Sequence, residues 1–285
     1  MSLTARVKAI QGHLDGLHQV ELDRRLDELV ADPKYDDPRR LARYQHKVFS
    51  QSGEDGILAE IFRRIGVTNR FFAESAPGNG IENNTFYLLT LGWKGCWIEA
   101  GSKNAKAIRL NSARKIEDKS LSFQQERITA DNIESLFARA SVPSEFDLLS
   151  VDIDGNDYWV WQKIERYRPR VVVIEYNPTF PPDCDWVMEY DPNAAWDGSC
   201  KFGASLLALE RLGVQKGYNL VGCTLTGANA FFVREELLRD RFLNPFTAAN
   251  HYEPPRYYLT SRRAGHRRAP SWGRIGPSAL TGDML

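Results

Sequence analysis

Apolar and polar positions change their period twice along this chain. Over residues 3 to 32, Leu22, Leu26 and Leu29 recur at helical spacing among Arg, Glu and Asp, which predicts an N-terminal helix ending near Pro33. A second helical face, Ile57, Leu58, Ile61, Phe62 and Ile65, predicts a helix over 56–65 that packs on a sheet. From residue 70 short apolar runs alternate with amphipathic stretches. Strands are expected near 70–74, 95–99, 121–126, 146–152 and 170–176, and helices near 82–91, 103–115, 131–140 and 156–166. Such alternation predicts a parallel sheet covered on both faces.

After the fifth strand the pattern breaks into an irregular stretch, 177–201, with Pro178, Pro181, Pro182 and Pro192 and several aromatics. Loops of that length in compact domains are commonly lids or binding loops. A helix near 203–213 follows, and then two apolar runs, 217–223 and 229–233, too close in sequence to be joined by a crossover helix. They should pair as an antiparallel hairpin. The expected architecture is α/β: a Rossmann-like, mostly parallel seven-stranded sheet closed by that hairpin. Residues 1–45 form a helical extension, 46–240 the main domain with its lid-like loop, and 241–285 a basic tail. The last 30 residues carry six arginines against one acid, which reads as partial disorder or packing over a neighbouring subunit and leaves a homo-oligomer open.

Composition narrows the class without naming a chemistry. With 37 Lys and Arg against 37 Asp and Glu and 42% hydrophobic residues, the chain suits one large soluble domain with additions at its ends. Neutrality gives no reason to expect nucleic acid or an anionic membrane as partner. The first 30 residues lack an apolar run, and no stretch approaches the roughly 18 apolar residues of a spanning helix, so a cytoplasmic protein is expected. Cys96, Cys184, Cys200 and Cys223 include no Cys-x-x-Cys, and buried or idle thiols explain them best.

Residues 71 to 99 carry the first chemical signal. An apolar strand reaching Glu74 runs into a turn where Gly78 and Gly80 let the backbone approach a ligand, with a helix starting near Glu82. The next strand ends at Glu99, about 20 to 25 residues after the turn, where a carboxylate can accept hydrogen bonds from both hydroxyls of an unphosphorylated ribose. Asn83 stands where a dinucleotide turn has its third glycine, and no Gly-x-x-x-x-Gly-Lys-Ser/Thr occurs. Ala76 and Pro77 are the unusual pair: alanine disfavours positive φ, and proline removes a backbone donor. The plainer alternative is a glycine turn that only joins strand to helix.

The fourth and fifth strands end in acids, Asp152, Asp154 and Asp157 on one, Glu175 with Asn177 on the other. Outside the carboxyl ends of an open α/β sheet these groups converge on one crevice. Asp152, Asp154, Glu175 and Asn177 offer hard oxygen ligands for Mg²⁺ or another divalent cation. Alternatively one carboxylate, Asp154 or Glu175, acts as a metal-free general base on an attacking hydroxyl. In a third reading Asp154-Gly155-Asn156 is a tight turn and Asp157 a helix cap. His251 is a remoter candidate base and reads more simply as a packing histidine.

On these residues the chain resembles the FkbM-type family of class I S-adenosylmethionine-dependent methyltransferases. The resemblance covers residues 46 to 234 and rests on Phe49 to Leu58, Glu74 to Thr85 with its Ile-Glu-Asn-Asn-Thr, Gly92 to Glu99, Phe146 to Trp161 and Val171 to Asn177. It implies that Glu74, Gly78 and Gly80 line the methionine portion of S-adenosylmethionine and that Glu99 holds its ribose. It further implies that Asp131, with the preceding Ile128-Thr129-Ala130, lies at the adenine contact after the third strand, that Asp152 faces the cofactor's amino group or a metal, and that Gln51, Ser52 and Glu54 close over the site. Ser75-Ala76-Pro77 departs from the family's acid-x-Gly-x-Gly-x-Gly pattern. The activity implied is O-methylation of a small molecule, a sugar or secondary metabolite. Two other readings keep the fold: metal-dependent chemistry without methyl transfer, and a non-catalytic nucleoside-binding scaffold.

Overall fold

In the computed structural model, which describes residues 2–194 and 196–260, seven strands make one sheet. They are β1 Phe71–Ser75, β2 Lys94–Ile98, β3 Leu121–Gln124, β4 Glu145–Val151, β5 Arg168–Glu175, β6 Tyr218–Cys223 and β7 Asn229–Arg234. Their order is β3-β2-β1-β4-β5-β7-β6, with β1 to β5 parallel and β7 inserted antiparallel between β5 and β6. This is the Rossmann-like class I methyltransferase fold with its terminal hairpin. The five parallel strands each begin and end within two residues of their predicted bounds. They were legible because strands covered on both faces read as unbroken apolar runs, as in Val171-Val172-Val173-Ile174, all buried.

Helices cover both faces. Ile57, Leu58, Ile61, Phe62 and Ile65 of α2 (Glu54–Ile65) are all buried, packed with Phe72, Leu148 and Val171 of the sheet. The opposite face is covered through Ile133, Leu136 and Phe137 of α6 (Ile133–Arg139), Val160 and Trp161 of α7 (Asp157–Lys163) and Leu209 and Leu212 of α8 (Leu206–Gln215).

Two helices differ from expectation. Helix 82–91 shrinks to α3, Phe86–Thr90, because the Asn83 side chain takes the amides of Thr85 and Phe86 at 3.1 and 2.8 Å and holds 82–85 outside the helix. Helix 103–115 is two, α4 Ser102–Asn111 and α5 Ala113–Glu117, separated at Ser112, where φ is −116°. The N-terminal helix, α1 Leu3–Val30, forms as expected and is anchored by its C-terminal half: Leu26, Leu29 and Val30 pack with Tyr35, Ala42, Leu225 and Leu259, and Leu22 is buried.

The basic tail begins later than expected. Residues 241–260 fold back on this same chain, through α9 Ala248–His251 and a 3₁₀ turn at Tyr257–Leu259. Buried Glu253 accepts from Lys34 Nζ at 2.7 Å, Tyr35 Oη at 2.8 Å and Arg256 at 2.8 Å, and its carbonyl accepts from Tyr176 Oη at 2.6 Å. A buried carboxylate is stable there because cations and hydroxyls meet it on several sides. The arginines from 262 onward lie outside the described residues, as does the reading of that stretch as disordered or seated on a neighbouring subunit. Among the described residues no helix is long and apolar enough to cross a membrane.

Candidate active site

The strand order reverses between β1 and β4, which opens a crevice at the carboxyl ends of the strands. A cavity of about 400 Å³ lies there. Gln51, Ser52, Glu74, Gly78, Glu99, Asp152, Asp154 and Glu175 all line it, so eight predicted site residues from five separate segments are brought together. A neighbouring cavity of about 200 Å³ shares Ala76, Glu99, Asp154 and Trp196 with it and adds Ile98, Ile128 and Ile153 as an apolar wall.

The β1 turn has the backbone of a three-glycine loop even though its first glycine is replaced. Ala76, Gly78 and Gly80 have φ of 50°, 58° and 76°, all left-handed. The Ala76 amide donates to the Ile98 carbonyl at 2.8 Å, tying the turn to β2. Gly80 is packed closely and lines neither cavity: a Cβ there would lie 2.9 Å from Ile108 Cγ1 and 3.1 Å from Trp97 Cζ3. At Gly78 a Cβ would meet nothing within 4 Å, and this residue faces the cavity.

Glu74 holds this loop together. Its buried carboxylate accepts the Asn84 amide at 2.9 Å and the Thr85 hydroxyl, which in turn accepts the Trp97 indole N–H at 2.8 Å. Burial pushes the Glu74 carboxyl up to about 7. Asn83 spans the turn and α3 by donating to the Pro77 carbonyl at 3.2 Å, and Asn84 donates to Ser150 Oγ at 3.0 Å.

Glu99 follows β2 and sits where the two cavities meet. Its Oε1 accepts the Gly101 amide at 2.6 Å and its Oε2 lies 3.4 Å from Asn104 Nδ2. A carboxylate clamped in this way keeps lone pairs for a ligand's hydroxyls.

Carboxylate oxygens of Asp152, Asp154 and Glu175 all lie within 4.8 Å of one another. Burial, then Glu175 and Asp154, push the Asp152 carboxyl well above its ordinary range; burial, then Asp157 and Asp154, do the same for Glu175. Such a cluster either retains protons or gathers a cation. Asp154 stands at the rim, exposed, with φ of 57°.

Three sequence assignments change, and the packing reading of His251 holds. The Asn177 side chain is engaged in the loop that follows β5: its Nδ2 donates to the carbonyls of Cys200 and Phe202 at 2.8 and 2.9 Å, and its Oδ1 accepts the Thr179 amide and hydroxyl. It fastens the two ends of the 177–201 loop. Asp131 is exposed and lines neither cavity, because Thr129 and Asn132 exchange side-chain to backbone bonds at 2.9 and 3.2 Å in the turn before α6. Ile128, from the same expected stretch, lines the smaller cavity with Glu126 and Arg127. Glu54 lies behind the wall, accepting the Ser52 amide and Asn229 Nδ2, each at 2.8 Å. His251 is buried, lines neither cavity, and is bonded to the Leu243 carbonyl at 3.0 Å. Asp157 is structural but is not the expected cap: it is the first residue of α7, after the N-cap Asn156, and its carboxylate takes the upstream amides of Ile153 and Gly155 at 2.8 and 2.9 Å.

Sequence reasoning missed Ser75, Asn104, Asn229, Tyr257 and Thr260, all in the larger cavity's wall. Ser75 Oγ and Asn229 Oδ1 are buried there without a hydrogen-bond partner. Unpaired buried polar atoms are costly, and a ligand that donates to them removes the cost. No sequence signal joins Asn229 to Glu54, 175 residues away.

No protein-family model matches the chain, and no curated protein matches it. Solved structures with a similar course of chain include the StiE O-MT (12% identity over 58% of this chain and 52% of the other, TM-score 0.36). WbdD (15%, 73% and 42%, 0.37) and a TehB-like SAM-dependent methyltransferase from Corynebacterium glutamicum (12%, 62% and 86%, 0.36) are similar to the same degree. The chain spans about half the length of the StiE O-MT structure.

Proposed function

We propose that the chain is an S-adenosylmethionine-dependent O-methyltransferase of FkbM type, acting on a hydroxyl of a sugar or secondary metabolite. The observation that carries this reading is Glu99, clamped at the β2 tip at the junction of a polar and an apolar-walled cavity, beside a left-handed β1 turn. The residues fit the cofactor: Glu99 for the ribose hydroxyls, Ile98, Ile128 and Ile153 for the adenine, and an acidic cavity with two unpaired acceptors for the sulfonium and ammonium charges. Bound there, S-adenosylmethionine supplies an electrophilic methyl group and leaves as a neutral thioether.

Methyl transfer of this kind needs alignment and removal of one proton more than covalent help. Asp154 and Glu175 are the candidate bases for the acceptor hydroxyl. Asp152, Asp154 and Glu175 together are also the candidate ligands for Mg²⁺ or another divalent cation, which would orient the acceptor and lower the pKa of its hydroxyl. Glu74 and Glu54 position the walls without touching the reacting atoms. The reading of metal chemistry without methyl transfer drew on Ala76, and that residue adopts the left-handed conformation the missing glycine would have had.

Calorimetric titration with S-adenosylmethionine and S-adenosylhomocysteine, with and without Mg²⁺, tests the proposal. Binding of both at micromolar concentration is expected. Absence of binding at millimolar concentration overturns it.

A further inference from the structure

A third cavity, about 420 Å³, lies between α1 and residues 45–53. It shares Gln51 and Ser52 with the large acidic cavity, so a molecule filling it touches the wall of the candidate active site. Its size falls within the usual range for small-ligand sites. Asp23 and Asp27 stand one helical turn apart on its α1 side, above apolar Leu22, Leu26 and Leu259. Carboxylates over an apolar floor suit a ring with a C–H face and polar edges.

The charge of the adjoining cavity restricts what can pass between them. Glu74, Glu82, Glu99, Asp152, Asp154 and Glu175 line it, and among the described residues no Lys, Arg or His does. Lys47, in the wall of the third cavity, is paired with Glu82 at 3.1 Å. His46 stands in the third cavity's wall as well, so it is on reaching the larger cavity that a phosphate or carboxylate meets acids and no cation among the described residues, whereas an ammonium or a hydroxyl donor meets acceptors.

We propose that the groove between α1 and residues 45–53 is the acceptor subsite and that it takes an aminated polyol, a sugar or cyclitol carrying an ammonium and no anionic group. The proposal rests on the methyl-transfer reading and deepens it by naming the acceptor class and where it lies. The N-terminal helix is then a specificity element, with Asp23 and Asp27 holding the ammonium and Gln51 and Ser52 facing the hydroxyl to be methylated.

The test is calorimetry on the full chain, alone and with S-adenosylhomocysteine, using glucosamine, 2-deoxystreptamine, glucose and glucose 1-phosphate as probes. At least one aminated probe is expected to bind tenfold more tightly than glucose, and glucose 1-phosphate not at all. The double variant Asp23→Asn, Asp27→Asn should weaken the aminated probe at least fivefold and leave S-adenosylhomocysteine affinity within twofold, with an unchanged thermal midpoint as the folding control. The proposal falls if neither aminated probe exceeds glucose, if the phosphate binds equally well, or if the double variant binds the aminated probe as before. Failure of S-adenosylhomocysteine to bind would strike the methyl-transfer reading instead, and the titrations on the protein alone would still decide the groove.

Discussion

The Glu99 carboxylate accepts the Gly101 amide at 2.6 Å, so one of its oxygens is fixed by the backbone that follows it. A hydrogen bond to a charged group contributes about 1.5–3 kcal/mol, roughly ten- to a hundredfold in affinity. Glu99→Ala should therefore weaken S-adenosylhomocysteine by at least tenfold in calorimetry. Glu99→Gln keeps an acceptor for Gly101 and should lose less. An affinity within twofold of wild type in Glu99→Ala would remove the ribose assignment.

Ala76 sits at φ of 50°, a conformation that costs a non-glycine residue about 1–2 kcal/mol. Replacement by glycine removes that strain while adding about 0.4–1 kcal/mol of chain entropy in the unfolded state. Urea unfolding of Ala76→Gly should show stability equal to wild type or up to about 1 kcal/mol higher. Ala76→Val, with a branched Cβ, should lose at least about 2 kcal/mol. A clear loss in the glycine variant would contradict the left-handed turn.

Glu74 gives a pH dependence with a definite sign. Its carboxyl is raised by burial from 4.5 to about 7, so the folded chain holds a proton that the unfolded chain has released. Its effect on stability is therefore most favourable below about pH 4.5 and is lost as pH rises towards 7, by an amount on the order of 3 kcal/mol. Glu74→Gln lacks this group. The difference in unfolding free energy between wild type and variant should shift in the variant's favour between pH 4.5 and 7.5; a constant difference would show that Glu74 titrates normally.

The acids at the tips of β4 and β5 make the metal question testable. Should Asp152, Asp154 and Glu175 bind a divalent cation, Mg²⁺ or Mn²⁺ will raise the thermal midpoint of wild type, and Asp154→Asn will abolish that rise. Turnover would then disappear on exhaustive chelation and return with added cation. Activity that survives chelation while Asp154→Asn or Glu175→Gln loses about a hundredfold or more would identify a metal-free base.

Asn177 separates structure from ligation. With its amide engaged in four bonds across the 177–201 loop, Asn177→Ala should cost about 2–3 kcal/mol of stability. The cation-dependent shift in midpoint should persist in the variant. Loss of that shift without loss of stability would return Asn177 to the ligand set.

Local pattern was enough to specify the layered fold and the chemical character of the strand tips. Two-sided burial writes β1 to β5 as apolar runs, and the short spacing between 217–223 and 229–233 leaves only a hairpin, so local pattern and topology agree. Glu74, Glu99, Asp152, Asp154 and Glu175 were legible because a charge ending such a run has to lie at the sheet's edge. Tertiary structure decided the rest. Whether a polar side chain faces a cavity depends on which backbone groups have already claimed it. Asn177, Asp157 and Glu54 were claimed and Asn229 Oδ1 was not, a distinction set by partners up to 175 residues away. Residues 253–260 likewise read as a basic tail until Glu253 is seen buried against Lys34 and Tyr35, a pairing of the two chain ends that no local period can encode.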